Sequence, residues 1–92
     1  MNEVFEALAH PVRREILKLL RKRPMSAGEI AEHFTIAKPT LSGHFSVLKT
    51  ADLVTTERQG TTIIYQLNTS VMEDALAAFM ALAGMKGKEK SS

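Results

Sequence analysis

The chain has 92 residues and a formal net charge of +2, and 45% of its residues are hydrophobic and 24% charged. This length allows one small domain, and the composition lies in the globular range. Cysteine is absent, which excludes disulfides, thiolate metal sites, iron–sulfur clusters and thiol catalysis. Because a chain of this size buries only about two-thirds of its unfolded surface, we expect a second copy to cover any surplus apolar helix.

The hydropathy pattern predicts a cytoplasmic protein with no membrane insertion. The longest strongly apolar run, residues 75–85, spans 11 residues, whereas about 20 are needed to cross a bilayer. Acidic Glu3 and Glu6 stand where a secretion signal carries positive charge.

Basic residues are concentrated in the first half of the chain. Residues 1–50 carry eight Lys/Arg against five Glu, or +3, and residues 51–92 carry four against five acids, or −1. Six of the basic residues fall between Arg13 and Arg23. This cluster indicates either a phosphate-facing surface or a solvated helix face.

The first two predicted helices meet at a His-Pro step. Apolar residues recur at helical spacing up to about Ala9, and the proline of His10-Pro11 ends one helix and suits the first turn of another. From Pro11 to about Arg21 an apolar stripe runs beside basic residues, which predicts a basic amphipathic helix. We expect His10 to cap or abut this second helix.

A capping box predicts the start of a third, short helix. Ser26 and Glu29 have the spacing of that motif, and Phe34 is expected to point inward. The next helix is predicted over residues 39–51, after a three-residue turn at residues 35–37.

The helix over residues 39–51 has two contrasting faces. Leu41, Phe45 and Leu48 form its buried seam. The outward face is small and hydroxylated, with lysines at its edges and no acid before Asp52. Small polar side chains let a helix approach base edges closely. The outward residues are Lys38, Thr40, Ser42, Gly43, Ser46 and Lys49.

A β-hairpin is predicted after Leu53, where the apolar period changes from that of a helix to that of a strand. Residues 54–58 and 61–67 are rich in strand-forming residues, and Gln59-Gly60 supplies the turn. Arg58 and Gln59 lie at the tip. The side chains of Ile63, Tyr65 and Leu67 are expected to cover the helical core.

A final helix is predicted to begin at Asn68, Thr69 or Ser70 and to run to about Gly84. Its apolar residues cover more than the one face that a small core needs. Together with the first helix, this surplus face predicts a dimer surface. The residues assigned to it are Val4, Phe5, Leu8, Met72, Leu76, Phe79, Met80 and Ala83.

The order of these elements is that of a winged helix-turn-helix, mainly α with a β-hairpin wing (α-α-α-α-β-β-α). We assign residues 1–85 to one DNA-binding and dimerisation domain. The Lys-, Gly- and Ser-rich residues 86–92 are predicted to be a disordered tail.

Three segments in this order resemble the ArsR/SmtB family of repressors, and within it the short SdpR-type autorepressors that lack a metal site. The segments are Phe5-Glu6-Ala7-Leu8-Ala9-His10-Pro11-Val12-Arg13-Arg14-Glu15-Ile16-Leu17, Gly28-Glu29-Ile30-Ala31-Glu32-His33-Phe34 and Lys38-Pro39-Thr40-Leu41-Ser42-Gly43-His44-Phe45-Ser46-Val47-Leu48. The resemblance implies a homodimer, joined through the first and last helices, that represses transcription from a palindromic operator on double-stranded DNA. It implies DNA contacts from the outward residues of the helix over 39–51 and from Arg58 and Gln59.

Two residues depart from the family pattern. Gly43 stands where family members commonly carry a histidine, which removes a side chain that could reach a base. Ala37 stands where a capping serine is common, so the helix over residues 39–51 is expected to lack a side-chain cap. His44 beside the buried seam is expected to be partly buried and bonded to backbone.

Metal sensing is expected to be absent, and no cofactor is predicted. The stretch from Gly28 to Phe34 has no cysteine, and the last helix offers Glu73 and Asp74 without a histidine. A metal-responsive repressor and a winged-helix protein-interaction module are the alternatives. An enzyme is not expected, because no catalytic triad, carboxylate pair or phosphate-binding loop is present. The candidates for relief of repression are a protein antagonist, a small ligand between the last helices and autoregulation by concentration. Autoregulation or a protein partner is preferred, because no ligand motif is visible.

Overall fold

The structure is a computed structural model that describes residues 1–85, and the predicted tail at residues 86–92 lies outside the described residues. The described chain is mainly helical, with a small antiparallel sheet that carries a hairpin wing, and this confirms the predicted fold class. In chain order the elements are α1 (Asn2–Leu8), α2 (Pro11–Lys22), β1 (Met25–Ser26), α3 (Ala27–Ala31), α4 (Lys38–Thr50), β2 (Val54–Gln59), β3 (Thr62–Leu67) and α5 (Thr69–Leu82).

The junction between α1 and α2 follows the prediction. Pro11 occupies the first turn of α2, and the His10 Nδ1 atom accepts a hydrogen bond from the backbone N–H of Val12 at 3.1 Å. A histidine thus satisfies one of the N–H groups that the start of a helix leaves without a partner.

The capping box at the start of α3 is also confirmed. The Ser26 hydroxyl accepts from the Glu29 N–H at 3.1 Å, and the Glu29 carboxylate accepts from the Ser26 N–H at 2.9 Å. The second bond is the main reason that the pKa of Glu29 lies below its ordinary value.

The predicted three-residue turn was wrong, because residues 32–37 separate α3 from α4. After Ala31 the chain tightens into a turn in which the N–H groups of His33 and Phe34 bond to carbonyls three residues earlier. Phe34 still packs against the core as expected. After α3 the hydrogen bonds thus change from the α-helical to the tighter 3₁₀ pattern. The spacing of apolar residues does not reveal where this change occurs.

The sheet contains a strand that the sequence did not predict. Its order is β1-β3-β2, and the two-residue β1 places Met25 opposite Tyr65. In the wing, Gln59 pairs with Thr62, so the two-residue loop is Gly60-Thr61 rather than the predicted Gln59-Gly60. Gly60 has a φ of 65°, which a side chain would disfavour and which suits a tight hairpin.

The end of α4 aims the chain into the core. The Asp52 N–H bonds to Lys49 O at 2.9 Å and the Leu53 N–H to Leu48 O at 3.1 Å, the two bonds of a Schellman motif. Asp52 takes the left-handed position at a φ of 60°. Because of this reversal, Leu53 and Val54 are buried at 0% and 3% exposure.

The core lies between the helices and one face of the sheet, and Ile16, Ile30, Leu48 and Leu53 are its largest fully buried side chains. Val4, which the sequence assigned to the dimer surface, is only 6% exposed and belongs to this core. The helical period places Val4 and Ala7 on the inner side of α1, because residues three apart share a face.

The last strand and the last helix complete the core. Tyr65 and Leu67 pack against it as predicted, whereas Ile63, nearer the wing tip, is half-buried outside it. Of the three candidate caps for α5, Asn68 fills the role, since its side chain accepts from the Val71 N–H. Within residues 1–85, no helix combines the length and the hydropathy that a membrane crossing requires.

Candidate nucleic-acid interface

The two faces of α4 differ as the sequence predicts. Leu41, Phe45 and Leu48 are 3%, 6% and 0% exposed, and the Phe45 ring stacks on Tyr65 with a centroid distance of 4.8 Å. These contacts seat α4 against the sheet. The opposite face is solvent-exposed along the length of the helix, and its residues are Lys38, Thr40, Ser42, Gly43, Ser46 and Lys49.

The start of α4 is open, as predicted from Ala37. Among the described residues, no side chain accepts a hydrogen bond at this N-cap, and the first turn contains no acid. Pro39 contributes no N–H, so the Lys38 and Thr40 N–H groups remain at the positive end of the helix dipole. This end of α4 is electrostatically suited to a phosphate.

Gly43 lies on the exposed face without a local need for glycine. A Cβ atom built at this position meets nothing within 4 Å, and its φ is not positive. The missing side chain therefore leaves a smooth, open patch in the middle of α4. Such a patch lets the helix backbone approach another surface closely.

The tertiary structure brings two acids beside α4 that the sequence did not associate with it. Glu3 and Glu6 of α1 line a groove of about 150 Å³ together with Ser46, Val47 and Thr50. Negative charge beside the C-terminal half of α4 disfavours phosphate there. The N-terminal half of the face is thus the more electropositive half.

The wing presents Arg58 and Gln59 as exposed residues on the strand that leads into its tip. Arg58 lies opposite Ile63 in the β-ladder, and successive side chains of a strand point to opposite faces. Behind the tip, Gln66 donates to the Glu57 carboxylate at 3.3 Å. Both predicted tip residues are therefore accessible.

The basic cluster of α2 is divided between two roles. Arg13 donates to the carbonyl oxygens of Ala7 at 2.8 Å and Glu6 at 3.1 Å, and Arg14 donates to that of Leu8 at 2.8 Å. These carbonyls belong to the last turn of α1, where cations are favoured. Two of the six basic residues thus hold α1 in place.

The other four basic residues of this cluster remain on the surface. Lys18 is 3.3 Å from Glu15, and Arg23 is 3.5 Å from Glu29. Exposed pairs of this kind contribute at most about 1 kcal/mol and exchange readily for other partners. Arg13 and Arg14 thus fit neither alternative given for the cluster, and the choice between a phosphate-facing and a solvated surface applies only to the other four residues.

His44 occupies the inner side of α4 and is 9% exposed. The expectation of a backbone partner was wrong, since its Nδ1 atom lies 3.1 Å from an Arg13 guanidinium nitrogen. The His10 ring lies at a centroid distance of 4.4 Å. Burial, followed by the electrostatic influence of His10 and Arg13, lowers the pKa of His44 from its ordinary value.

A second exposed feature is an apolar cleft between α1 and α5, with a volume of about 480 Å³. Leu76, Phe79 and Leu82 are 58%, 61% and 77% exposed. Single exposed apolar residues are normal on a protein surface, whereas a contiguous apolar patch indicates an interaction site. Of the eight residues predicted for the dimer surface, five line the cleft, and Val4, Met80 and Ala83 lie outside its lining. The lining residues are Phe5, Leu8, Ala9, Met72, Ala75, Leu76, Phe79 and Leu82.

Leu82 is the large apolar side chain that the predicted dimer surface omitted, although its position three residues after Phe79 marks the same helical face.

No cluster of three His, Asp or Glu side chains that could hold a metal ion is present within residues 1–85.

Comparison with known proteins agrees with this geometry. The profile of "Bacterial regulatory protein, arsR family" matches residues 10–56, from the cap of α2 into β2. The transcriptional repressor SdpR of Bacillus subtilis (strain 168) is 49% identical over 83% of this chain and 84% of its own. The arsenical resistance operon repressor of Staphylococcus xylosus is 37% identical over 79% of this chain and 70% of its own.

Solved structures show the same architecture. The crystal structure of NolR from Sinorhizobium fredii superimposes with a TM-score of 0.71 at 34% identity, covering 91% of this chain and 84% of that one. The family match and the named relatives identify a DNA-binding transcription regulator rather than an enzyme. The chain belongs to the ArsR family of bacterial regulatory proteins.

Proposed function

We propose that this protein is a homodimeric repressor that binds a palindromic operator with one α4 helix in each of two major grooves. The exposed face of α4 carries the proposal, because small polar residues lie between two lysines on a helix whose other face is firmly seated in the core. The two relatives described above are both named as repressors, which supports the proposal. Two such helices in a dimer address half-sites about 34–36 Å apart.

The proposed contacts divide into positioning and base reading. Lysine and arginine side chains bind phosphates and set the register, whereas short hydroxyl side chains on α4 reach base edges. Gly43 allows close approach, and Gln59 probes the minor groove beside the wing. The proposed DNA-binding residues are Lys38, Thr40, Ser42, Gly43, Ser46, Lys49, Arg58 and Gln59.

The apolar cleft is the proposed dimer surface. Phe79 and Leu76 on α5 stand opposite Phe5 and Leu8 on α1, and burying such side chains contributes about 1.5–3 kcal/mol each. A second copy that buries the same face also orients the two α4 helices toward one side of the dimer. Repression then follows from occupation of the promoter by the dimer.

We further propose that the operator lies upstream of the protein's own gene, so that the protein represses its own synthesis. A protein antagonist stays a prediction. The experiment is fluorescence anisotropy with a labelled duplex from that upstream region and with a scrambled duplex of the same composition. Both are titrated at two salt concentrations, with added zinc and with a chelator.

We expect specific binding to the upstream duplex. Its affinity should fall steeply with salt, because each neutralised phosphate releases counterions, and should be the same with zinc and with the chelator. Equal affinity for the two duplexes would remove autoregulation, and selection of bound fragments from the genome then tests for distant operators. A change in affinity with zinc would favour the metal-responsive alternative. No DNA binding at low salt would favour the interaction module.

A further inference from the structure

The strongest feature outside the proposed contacts is a bridge between α1 and α4 made by one arginine. Arg13 donates from Nε to Ala7 O at 2.8 Å and from Nη2 to Glu6 O at 3.1 Å, while Nη1 lies 3.1 Å from His44 Nδ1. The first two bonds are at the end of α1, and the third is on the inner side of α4. One planar guanidinium therefore connects two helices that are distant in sequence.

The bridge requires one protonation state of its partner on α4. A guanidinium can only donate, so the His44 Nδ1 atom must accept, and the proton of the neutral ring lies on Nε2. The neighbouring His10 ring also uses Nδ1 as an acceptor, for the Val12 N–H. The bridge is thus formed with a neutral, 9% exposed imidazole.

The bridge adds direction to a contact that is otherwise apolar. Leu41, Phe45 and Leu48 attach α4 to the core through apolar packing, which has no preferred direction. A hydrogen bond from a charged donor, in contrast, fixes an orientation. The helix at the other end of the bridge, α1, also carries Phe5 and Leu8 of the apolar cleft. The bridge therefore connects the proposed dimer surface to the proposed recognition helix.

We propose that Arg13 is a positioning residue for DNA recognition, which ties α4 through His44 to the end of α1 and so holds each recognition helix at a fixed angle to the dimer surface. This inference rests on the proposed function. The spacing of two half-sites is read by the relative placement of two α4 helices. A helix that rocks on its apolar seam loses that placement, while its exposed side chains stay unchanged.

The bridge also implies a pH dependence. A protonated His44 cannot accept at Nδ1, and it places a cation against Arg13 and beside His10 from α2. From α1, Glu3 and Glu6 lie near the C-terminal half of α4 and oppose this effect. The net direction is a lowered pKa for His44. Operator binding is expected to weaken only as the pH falls through this lowered pKa, which lies below the ordinary value of 6.5.

Four variants separate positioning from the mere capping of α1. Arg13→Gln and His44→Leu each remove the bridge. Arg14→Gln is the matched control, because Arg14 also caps α1 through Leu8 O at 2.8 Å but its capping bond does not involve α4. His44→Asn keeps an acceptor near the Nδ1 position and cannot be protonated.

The probe is the duplex of about 40 base pairs that wild-type protein enriches from a random-sequence pool, measured by anisotropy in steps from pH 7.5 down to pH 5. At pH 7.5, Arg13→Gln and His44→Leu are expected to weaken binding about tenfold each, and the double variant no further. Arg14→Gln should stay within about twofold of wild type. His44→Asn should bind at pH 7.5 and should lack the further loss that wild type shows at low pH.

Equal losses for Arg13→Gln and Arg14→Gln, or additive losses in the double variant, would overturn the inference and leave the proposed function standing. Failure of wild-type protein to enrich any duplex would instead overturn the proposed function. Amide hydrogen exchange on the free protein then decides the bridge separately. Faster exchange along α4 in Arg13→Gln than in Arg14→Gln supports it, and equal exchange refutes it. Where Arg13→Gln does not fold, His44→Leu carries the same comparisons.

Discussion

Replacing Gly43 by alanine is expected to stabilise the protein and to weaken its binding to DNA. Gly43 lies in the interior of α4, and a Cβ atom added there meets no atom within 4 Å. The change therefore adds no clash and gains the full difference in helix propensity, about 0.8–1.0 kcal/mol. For a domain of this size that gain corresponds to a rise in Tm of about 4–8 °C.

The same methyl group stands on the face that we propose enters the major groove. If α4 approaches the bases closely at Gly43, the added atom forces the helix outward and costs about 1–3 kcal/mol of operator binding, as overpacking does in a protein interior. The free energy of unfolding and the affinity for the operator then change in opposite directions. A residue that merely faces solvent would show the first effect without the second.

The assay pairs thermal unfolding by circular dichroism with anisotropy on operator and scrambled duplexes. Gly28→Ala is the matched control, because its added Cβ would make only an ordinary contact with the Ser26 hydroxyl at 3.9 Å and Gly28 lies outside the proposed DNA contacts. An unchanged or lowered Tm for Gly43→Ala would refute the propensity argument. A raised Tm with unchanged operator affinity would refute close approach at this position.

Three further predictions concern the proposed base contacts, the apolar cleft and the end of α4. Thr40→Ala with Ser42→Ala should cost about 1–3 kcal/mol of operator binding for each lost base contact while binding to scrambled DNA is unchanged, and an equal loss on both duplexes would contradict base reading. Phe79→Glu should weaken the dimer at least about a hundredfold in sedimentation equilibrium, because a charge enters an apolar interface. The control Ala77→Glu, at an exposed position of the same helix, should leave the dimer intact. A Phe79→Glu protein that is still dimeric at micromolar concentration would place the interface elsewhere. Asp52→Val should lower the free energy of unfolding in urea by about 1–2 kcal/mol, because a β-branched residue would take the left-handed position, and a variant as stable as wild type would argue against the strain.

The chain's stability should also depend on pH through His44. Its folded pKa lies below its ordinary value of 6.5, so the unfolded chain binds more protons as the pH falls through that value. Folding stability is therefore lost from about pH 6.5 downward until the folded pKa is passed. Urea unfolding between pH 7.5 and 5 measures this loss, which His44→Asn should reduce.

Features with a local cause were predictable from the sequence. The capping box at Ser26, the cap at His10 and the open start of α4 at Ala37 each depend on residues within four positions of one another. The apolar seam of α4 follows from its helical period alone. Local hydrogen bonding and periodicity were therefore sufficient for the order of the five helices and the two wing strands.

Features that depend on distant residues were not predictable. The strand β1 exists because Met25 pairs with Tyr65, forty residues later in the chain, and a two-residue strand has no pattern of its own. Val4 was assigned to the wrong surface because the period of α1 shows which residues share a face but not which face meets the core. The acids of α1 were placed near α4 only by the packing of the two helices.

The sequence by itself determined the winged-helix architecture, the composition of the exposed face of α4 and the membership of a repressor family, because these follow from local pattern and local motifs. Only the tertiary structure decided how Arg13 and Arg14 are used. A basic residue on an amphipathic helix can face solvent, phosphate or a neighbouring carbonyl, and the choice depends on which unsatisfied groups the fold brings within reach. Here the end of α1 supplied those groups, and the Arg13–His44 contact joined them to α4.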